Sequence, residues 1–165
     1  MLLEMKVSGL AIDPFTNVPI VILKDMEDKN SLPVWIGVLE ASAIASELEK
    51  IQFSRPMTHD LLKEVLRNTK STVTRIEVVD LRENVYYATI HMDTGAGSFV
   101  LDARPSDAIA LALRTRSPIF VDSKVLEKSR NIDMRSEKGK GEDGEKDYIE
   151  TLEDLSPGDF GKYKM

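Results

Sequence analysis

Residues 72–115 read TVTRIEVVDLRENVYYATIHMDTGAGSFVLDARPSDAIALALRT. Within them, 72–81, 85–92 and 98–103 alternate apolar and polar side chains with the period of two that half-buried strands require. Arg82-Glu83-Asn84 and Asp93-Thr94-Gly95-Ala96-Gly97 carry turn chemistry between them. The pattern therefore predicts an antiparallel meander of three strands. Arg104-Pro105-Ser106 then opens a helix over 107–115, DAIALALRT, whose side chains are nearly all apolar. A helix apolar on most sides must be buried on more than one of them.

Working outward, residues 2–12 and 18–24 are rich in apolar and β-branched side chains, and Asp13-Pro14-Phe15-Thr16-Asn17 between them predicts a hairpin. Residues 32–37, LPVWIG, predict a third strand, with Pro33 near its start. Residues 39–51 and 58–68 predict helices: the first on Ala41, Ala43, Ala45 and apolar recurrence at Ile44, Leu48 and Ile51, the second on Leu61, Leu62, Val65 and Leu66. A last strand over 119–121 and a short helix over 123–128 complete one domain, 1–128. Residues 129–147 are a run of charge and glycine that predicts a flexible linker, and 148–165 place Ile149, Leu152 and Leu155 at helical spacing, a docking segment by pattern.

At 165 residues the chain suits one core. No apolar stretch approaches the roughly 20 residues of a membrane span, and the N-terminus has no basic lead and cleavage site. The expectation is a soluble, cytoplasmic protein with no membrane partner. The absence of cysteine removes disulfides, thiolate nucleophiles and Cys-based metal sites. A net charge of −6, spread over body and tail, argues against a broad basic nucleic-acid surface but leaves room for a localised site.

Two phrases hold the candidate chemistry: Arg55-Pro56-Met57-Thr58-His59-Asp60 and Arg104-Pro105-Ser106-Asp107. Each stands at a helix start, where several backbone N–H groups lack an intrahelical partner. Capping accounts for Thr58 and Ser106, and the helix dipole for Asp60 and Asp107. Glu40 has the same explanation at the preceding helix. Arg55, His59, Asp102 and Arg104 exceed what a helix start needs, and strand alternation puts Asp102 and Arg104 on one face, where they could pair. The pattern permits a site in which His59, Asp60 and Asp107 are catalytic and Arg55 and Arg104 hold a substrate phosphate. Asp60, Asp102, Asp107 and Glu40 would then supply ligands for Mg²⁺ or Mn²⁺. Trp35 in an apolar strand reads as packing rather than base stacking, His91 as solvent-exposed, and Gly95 and Gly97 as a hairpin turn, since no helix or lysine follows them.

Taken jointly, LPVWIG, Glu40-Ala41, Ala43-Ile44, Arg55-Pro56-x-Thr58-His59-Asp60-Leu61 and Asp102-x-Arg104-Pro105-Ser106-Asp107-Ala108 resemble the bifunctional nuclease domain family, as does the ending Asp159-Phe160-Gly161-Lys162-Tyr163. The resemblance implies a compact α+β domain with a mixed, largely antiparallel sheet, a homodimer, and hydrolysis of DNA and RNA. It matches at Glu40, Arg55, Thr58, His59, Asp60, Asp102, Arg104, Ser106 and Asp107. The alternative is a non-catalytic dimeric binding or regulatory module whose Arg-Pro helix starts bind an anion or lock the fold.

Overall fold

The computed structural model describes residues 1–137, with side chains through Asn131. Seven strands and four helices follow in the order β1 (Leu2–Ile12), β2 (Pro19–Asp25), β3 (Ser31–Trp35), α1 (Val38–Leu48), α2 (Thr58–Asn68), β4 (Thr72–Arg82), β5 (Val85–Asp93), β6 (Ser98–Ala103), α3 (Pro105–Thr115), β7 (Ile119–Asp122) and α4 (Ser123–Glu137). The expected α+β architecture is present, and each of the seven strands falls on a segment the sequence predicts as a strand.

All seven strands join one sheet in the order β3-β2-β1-β7-β4-β5-β6. It consists of two antiparallel meanders, β1–β3 and β4–β6, joined through β7, which pairs antiparallel with β1 and parallel with β4. The parallel pairing needs a crossover, and α3 supplies it between β6 and β7. Although β3 and β5 are far apart in strand order, the Tyr86 hydroxyl of β5 donates to the Pro33 carbonyl of β3 at 3.2 Å, so the sheet curls.

One hydrophobic cluster runs through the molecule. Leu10, Val21 and Leu23 from the first meander meet Ile76, Val78 and Ile90 from the second, with Ile44 of α1, Ile109 and Leu111 of α3 and Val125 of α4. Most of α3 is buried, including Ala108–Ala112 without interruption. It packs on β4 and β5 and against α1 and α2, which accounts for its unbroken apolar sequence.

Three helix boundaries differ from the sequence expectation by two residues or more. α1 ends at Leu48 rather than 51, because Lys50 turns to φ +53° and the Ile51 N–H returns to the Ser46 carbonyl at 2.8 Å, a closing bond of the Schellman type. α3 begins at Pro105, whose fixed φ suits the first helical position. α4 continues to Glu137, so the first residues of the charged run from 129 are helical. The remainder of that run and the docking segment 148–165 lie outside the described residues.

α4 is tied to β4 by Asp80, whose carboxylate accepts from Lys128 Nζ at 2.6 Å, Arg82 Nε at 2.7 Å and the Leu81 N–H at 2.9 Å. Those hydrogen bonds, Lys128 first and Arg82 next, hold the Asp80 carboxyl far below its ordinary range. A carboxyl depressed on folding stabilises the native state fully above its unfolded pKa of about 3.9, and the contribution is lost as pH falls through the lower native value. The difference in stability between wild type and Asp80→Asn should therefore be widest near neutrality and shrink as pH drops below about 4, which urea unfolding at a series of pH values measures.

Candidate functional site

Three helix mouths build the site. In α1, Gly37 is the N-cap and Glu40 the third helical residue; in α2, Met57 is the N-cap and Asp60 the third; in α3, Arg104 is the N-cap and Asp107 the third. Thr58 is thus the first residue of α2 rather than its cap, and Ser106 the second of α3. The Arg-Pro pairs do not superimpose on the two helices. What recurs is an acid at the third position, where it complements the helix dipole.

Each of these acids also takes an arginine. Arg104 Nε donates to Asp107 Oδ2 at 2.8 Å and Arg104 Nη1 to Glu40 Oε1 at 2.7 Å, joining α1 to α3. On the far side of Asp107, Oδ1 lies 3.0 Å from His59 Nε2. Burial works against ionisation of Asp107, but the hydrogen bonds from Arg104 and His59 outweigh it and hold the carboxyl below its ordinary value. An ionised carboxylate only accepts, so His59 Nε2 carries the proton in this contact. In the neutral imidazole the lone pair is then on Nδ1, free to take a proton. Asp107 orients His59 as a carboxylate orients the histidine of a catalytic triad, and Arg104 stands behind Asp107 as its counter-ion.

Asp60 points elsewhere. Its Oδ1 accepts from Arg114 Nε at 2.7 Å and its Oδ2 from the Met57 N–H at 3.1 Å. Burial again opposes ionisation, and the hydrogen bonds from Arg114 and Met57 overcome it, leaving Asp60 below its ordinary value. Arg114 is 5% exposed, and its other guanidinium nitrogens reach the Ala110 carbonyl at 2.9 Å and Ser46 Oγ at 3.3 Å. Asp60 and Asp107 therefore serve two different arginines, Arg114 in the last turn of α3 and Arg104 at its N-cap.

The two remaining candidates stand apart from this group. Asp102 pairs with Thr89 in the register of β5 and β6, whereas its neighbour Leu101 pairs with Ile90, which is buried. Asp102 accordingly faces away from the side of the sheet that β5 buries, and it does not pair with Arg104. Alternation failed as a guide there because β6 ends at Ala103 and Arg104 already caps α3. Arg55 is exposed in the loop between α1 and α2 and makes no ion pair with the described residues. Among the described residues no three His, Asp or Glu side chains are grouped to hold a metal ion. Glu40, Asp60, Asp102 and Asp107 do not fit a single divalent site, three of them being engaged by guanidinium groups.

Beside Arg104 opens a cleft of about 330 Å³, which Trp35, Gly37, Glu40, Asn84, Tyr86 and Ser106 help to line. Gly37 has a local role: a Cβ there would lie 2.1 Å from Glu40 Oε2, so its absence leaves room for the carboxylate that Arg104 binds. His59 is not among the residues lining this cleft; it connects to it through Asp107 and Arg104.

A family profile described as the bifunctional nuclease domain matches residues 21–133, which include every residue of this site. The chain belongs to the bifunctional nuclease domain family. An uncharacterised protein of Mycobacterium tuberculosis is 33% identical over 162 residues, covering 95% of this chain and 97% of that protein. Bifunctional nuclease 1 of Oryza sativa subsp. indica is 28% identical over 110 residues, 64% of this chain and 33% of the rice protein. Bifunctional nuclease 1 of Arabidopsis thaliana is 29% identical over 109 residues, 63% and 33% of the two lengths.

Within this bifunctional nuclease domain, sequence reasoning missed Arg114 and misplaced His91. Arg114 ends an apolar helix, where a cation reads as a response to the helix dipole; its burial was signalled only by the apolar residues on all sides of it. His91 is largely buried, with Nε2 3.2 Å from Glu77 Oε1, because the neighbouring strand offers a carboxylate to its face. The turn at Gly95–Gly97 is a hairpin as expected.

Removing Asp60 strands a buried guanidinium, and breaking such a pair costs about 3 kcal/mol, less where one partner is partly exposed, as Asp60 is. Asp60→Ala should lose about 2–3 kcal/mol in urea unfolding, whereas Arg104→Ala, at an exposed pair, should lose less than about 1 kcal/mol.

Proposed function

We propose that the domain hydrolyses phosphodiester bonds in DNA or RNA, with His59 as the proton-transfer group, Asp107 orienting it and Arg104 binding the substrate phosphate. The observation that carries this reading is the continuous run Glu40–Arg104–Asp107–His59, which links a guanidinium bordering an open cleft to an imidazole oriented by a carboxylate. A neutral His59 with its lone pair on Nδ1 suits a general base for water, and the same ring once protonated suits the departing oxygen. Arg55, exposed on the loop leading into α2, would add charge to a substrate strand lying across the helix mouths. Asp60, held by Arg114, would act on the reaction only by fixing His59 next to it in the chain.

Family membership and the plant relatives' names support the class of reaction. No step of this reading runs through a metal ion. Cleavage of single-stranded and duplex DNA and RNA in Mg²⁺, Mn²⁺ and EDTA would measure whether an added cation matters. His59→Ala and Asp107→Asn should each lower the cleavage rate by about 10²-fold or more, the usual scale for a positioned acid–base group, with urea unfolding confirming that both variants are folded. Undiminished cleavage by both would overturn the assignment.

A second reading is favoured by one observation: Arg104 is already paired with two carboxylates, and His59 does not line the cleft. That arrangement suits a module that binds nucleic acid without cutting it. Saturable binding with no cleavage by wild type under any of the three cation conditions would decide for it.

We infer that the working form is a homodimer. Phe99 and Leu101 of the edge strand β6 pair with Met92 and Ile90, so they lie on the side of the sheet that β5 buries, yet both are more than 40% exposed. α2 has no buried residue, and Leu61, Leu62 and Val65 are exposed along it. An open strand edge beside uncovered apolar side chains is a surface that natural proteins cover, and a second copy would do so. Wild type should run at about twice 18.5 kDa by light scattering and Leu101→Glu at the monomer mass; a monomeric wild type would refute the dimer.

A further inference from the structure

The cleft beside Arg104 carries features that the helix mouths do not require. Trp35 ends β3, is 39% exposed and lines the cleft, while its indole N–H donates to Asp13 Oδ2 at 2.9 Å. Asp13 is buried in the β1–β2 turn, where its other oxygen accepts from the Phe15 and Thr16 N–H groups at 2.9 and 3.3 Å. The polar edge of the indole is thus fixed by the turn while the residue remains partly uncovered. Tyr86, also lining the cleft, is held by its hydroxyl to Pro33.

At the other end of the cleft is the mouth of α3. Ser106, its second residue, is only 6% exposed, lines the cleft, and its hydroxyl has no hydrogen-bond partner among the described residues. A buried hydroxyl without a partner is costly unless something arrives to bond it. It adjoins Arg104 and the unpaired N–H groups of a helix start, which together favour an anion. Asn84, exposed at the β4–β5 turn and lining the same cleft, offers both a donor and an acceptor. The volume of about 330 Å³ falls at the small end of ligand pockets, a size for one nucleotide rather than a duplex.

We propose that this cleft binds one unpaired nucleotide of a single strand, its base against Trp35 and its phosphate at Arg104 and Ser106. The inference rests on the phosphodiesterase reading and narrows it to single-stranded substrate. The next phosphodiester along the strand is thereby brought toward His59, through Arg104 and Asp107. A base in a duplex is stacked on both faces by its neighbours and cannot reach Trp35 without being unpaired. Stacking on an aromatic ring tolerates any base, so the preference is for strandedness and not for sequence.

Trp35 is the chain's sole tryptophan, so its fluorescence reports on this cleft alone. The experiment titrates full-length His59→Ala protein, which cannot consume the probe by the proposed route, with a single-stranded oligonucleotide, its blunt duplex, an abasic strand of the same length and inorganic phosphate. Saturable quenching should occur with the single strand at a dissociation constant at least tenfold below that of the duplex, and be absent with the abasic strand and with phosphate. By filter binding of the same strand, Trp35→Ala should weaken affinity about 5- to 100-fold, the range that base–aromatic stacking supplies, and Trp35→Phe should recover part of the loss. Equal affinity for single strand and duplex, or unchanged binding by Trp35→Ala and Trp35→Phe, overturns the proposal. The two readings fail separately: single-strand quenching with no cleavage by wild type leaves the cleft standing and removes the nuclease, whereas cleavage with an unchanged KM for single strands in Trp35→Ala does the reverse.

Discussion

The arrangement of this domain depends on one buried cation. Arg114 stays charged at any pH the protein meets, so its guanidinium, removed from water at the end of α3, must be satisfied within the fold. Asp60 of α2, Ser46 of α1 and the Ala110 carbonyl of its own helix do this. Three helices are fixed to one another by a group that cannot be left unpaired. The consequence for function is geometric: His59 precedes Asp60 in the chain, so anchoring Asp60 on Arg114 sets the first turn of α2 against α3 and places the imidazole on Asp107.

A single device is used three times. Glu40, Asp60 and Asp107 each occupy the third position of a helix, and each bonds an arginine as well as facing the helix dipole. Capping physics and inter-element ion pairing are therefore complementary here. The dipole favours the ionised acid, and the ionised acid recruits the guanidinium that holds a neighbouring element. Asp107 accepts two partners, and through the second of them a structural pattern acquires a group able to move a proton.

How far this was readable in the sequence follows from the range of each interaction. The seven strands were legible because alternation and short β-branched or apolar runs are local signals and the turns between them carry their own chemistry, and α3 because unbroken apolar helices must be enclosed. The end of α4 was not, since residues after Lys128 combine charge with no apolar stripe, and composition alone gave no reason for the helix to continue. Arg55, His59 and Arg104 were conspicuous as excess over capping. Their partners were not, because Arg104 meets Glu40 across 64 positions and Asp60 meets Arg114 across 54. Asp102 misled for a more specific reason: the face of a strand residue is shared with the next-but-one position only while the strand lasts, and β6 stops before Arg104. Trp35 read as core because LPVWIG is apolar throughout, although an edge strand's last residue has fewer neighbours to cover it.

Arg104 bears on whether a site so tightly paired can still receive a substrate. Two acids and one arginine, Glu40, Asp107 and Arg104, sum to one formal negative charge, which repels an anion if the group is taken as a whole. A guanidinium, however, has five N–H donors, and the two ion pairs engage one on Nε and one on Nη1. Three remain, on a side chain whose surface is 64% exposed. A phosphate can therefore bond Arg104 without displacing either carboxylate, and it meets a side chain whose rotamer is already fixed, so little entropy is lost on binding. The pairs that would make Arg104 a poor free cation would make it a well-placed one, and in the proposed role they would confine anion recognition to the face that opens on the cleft.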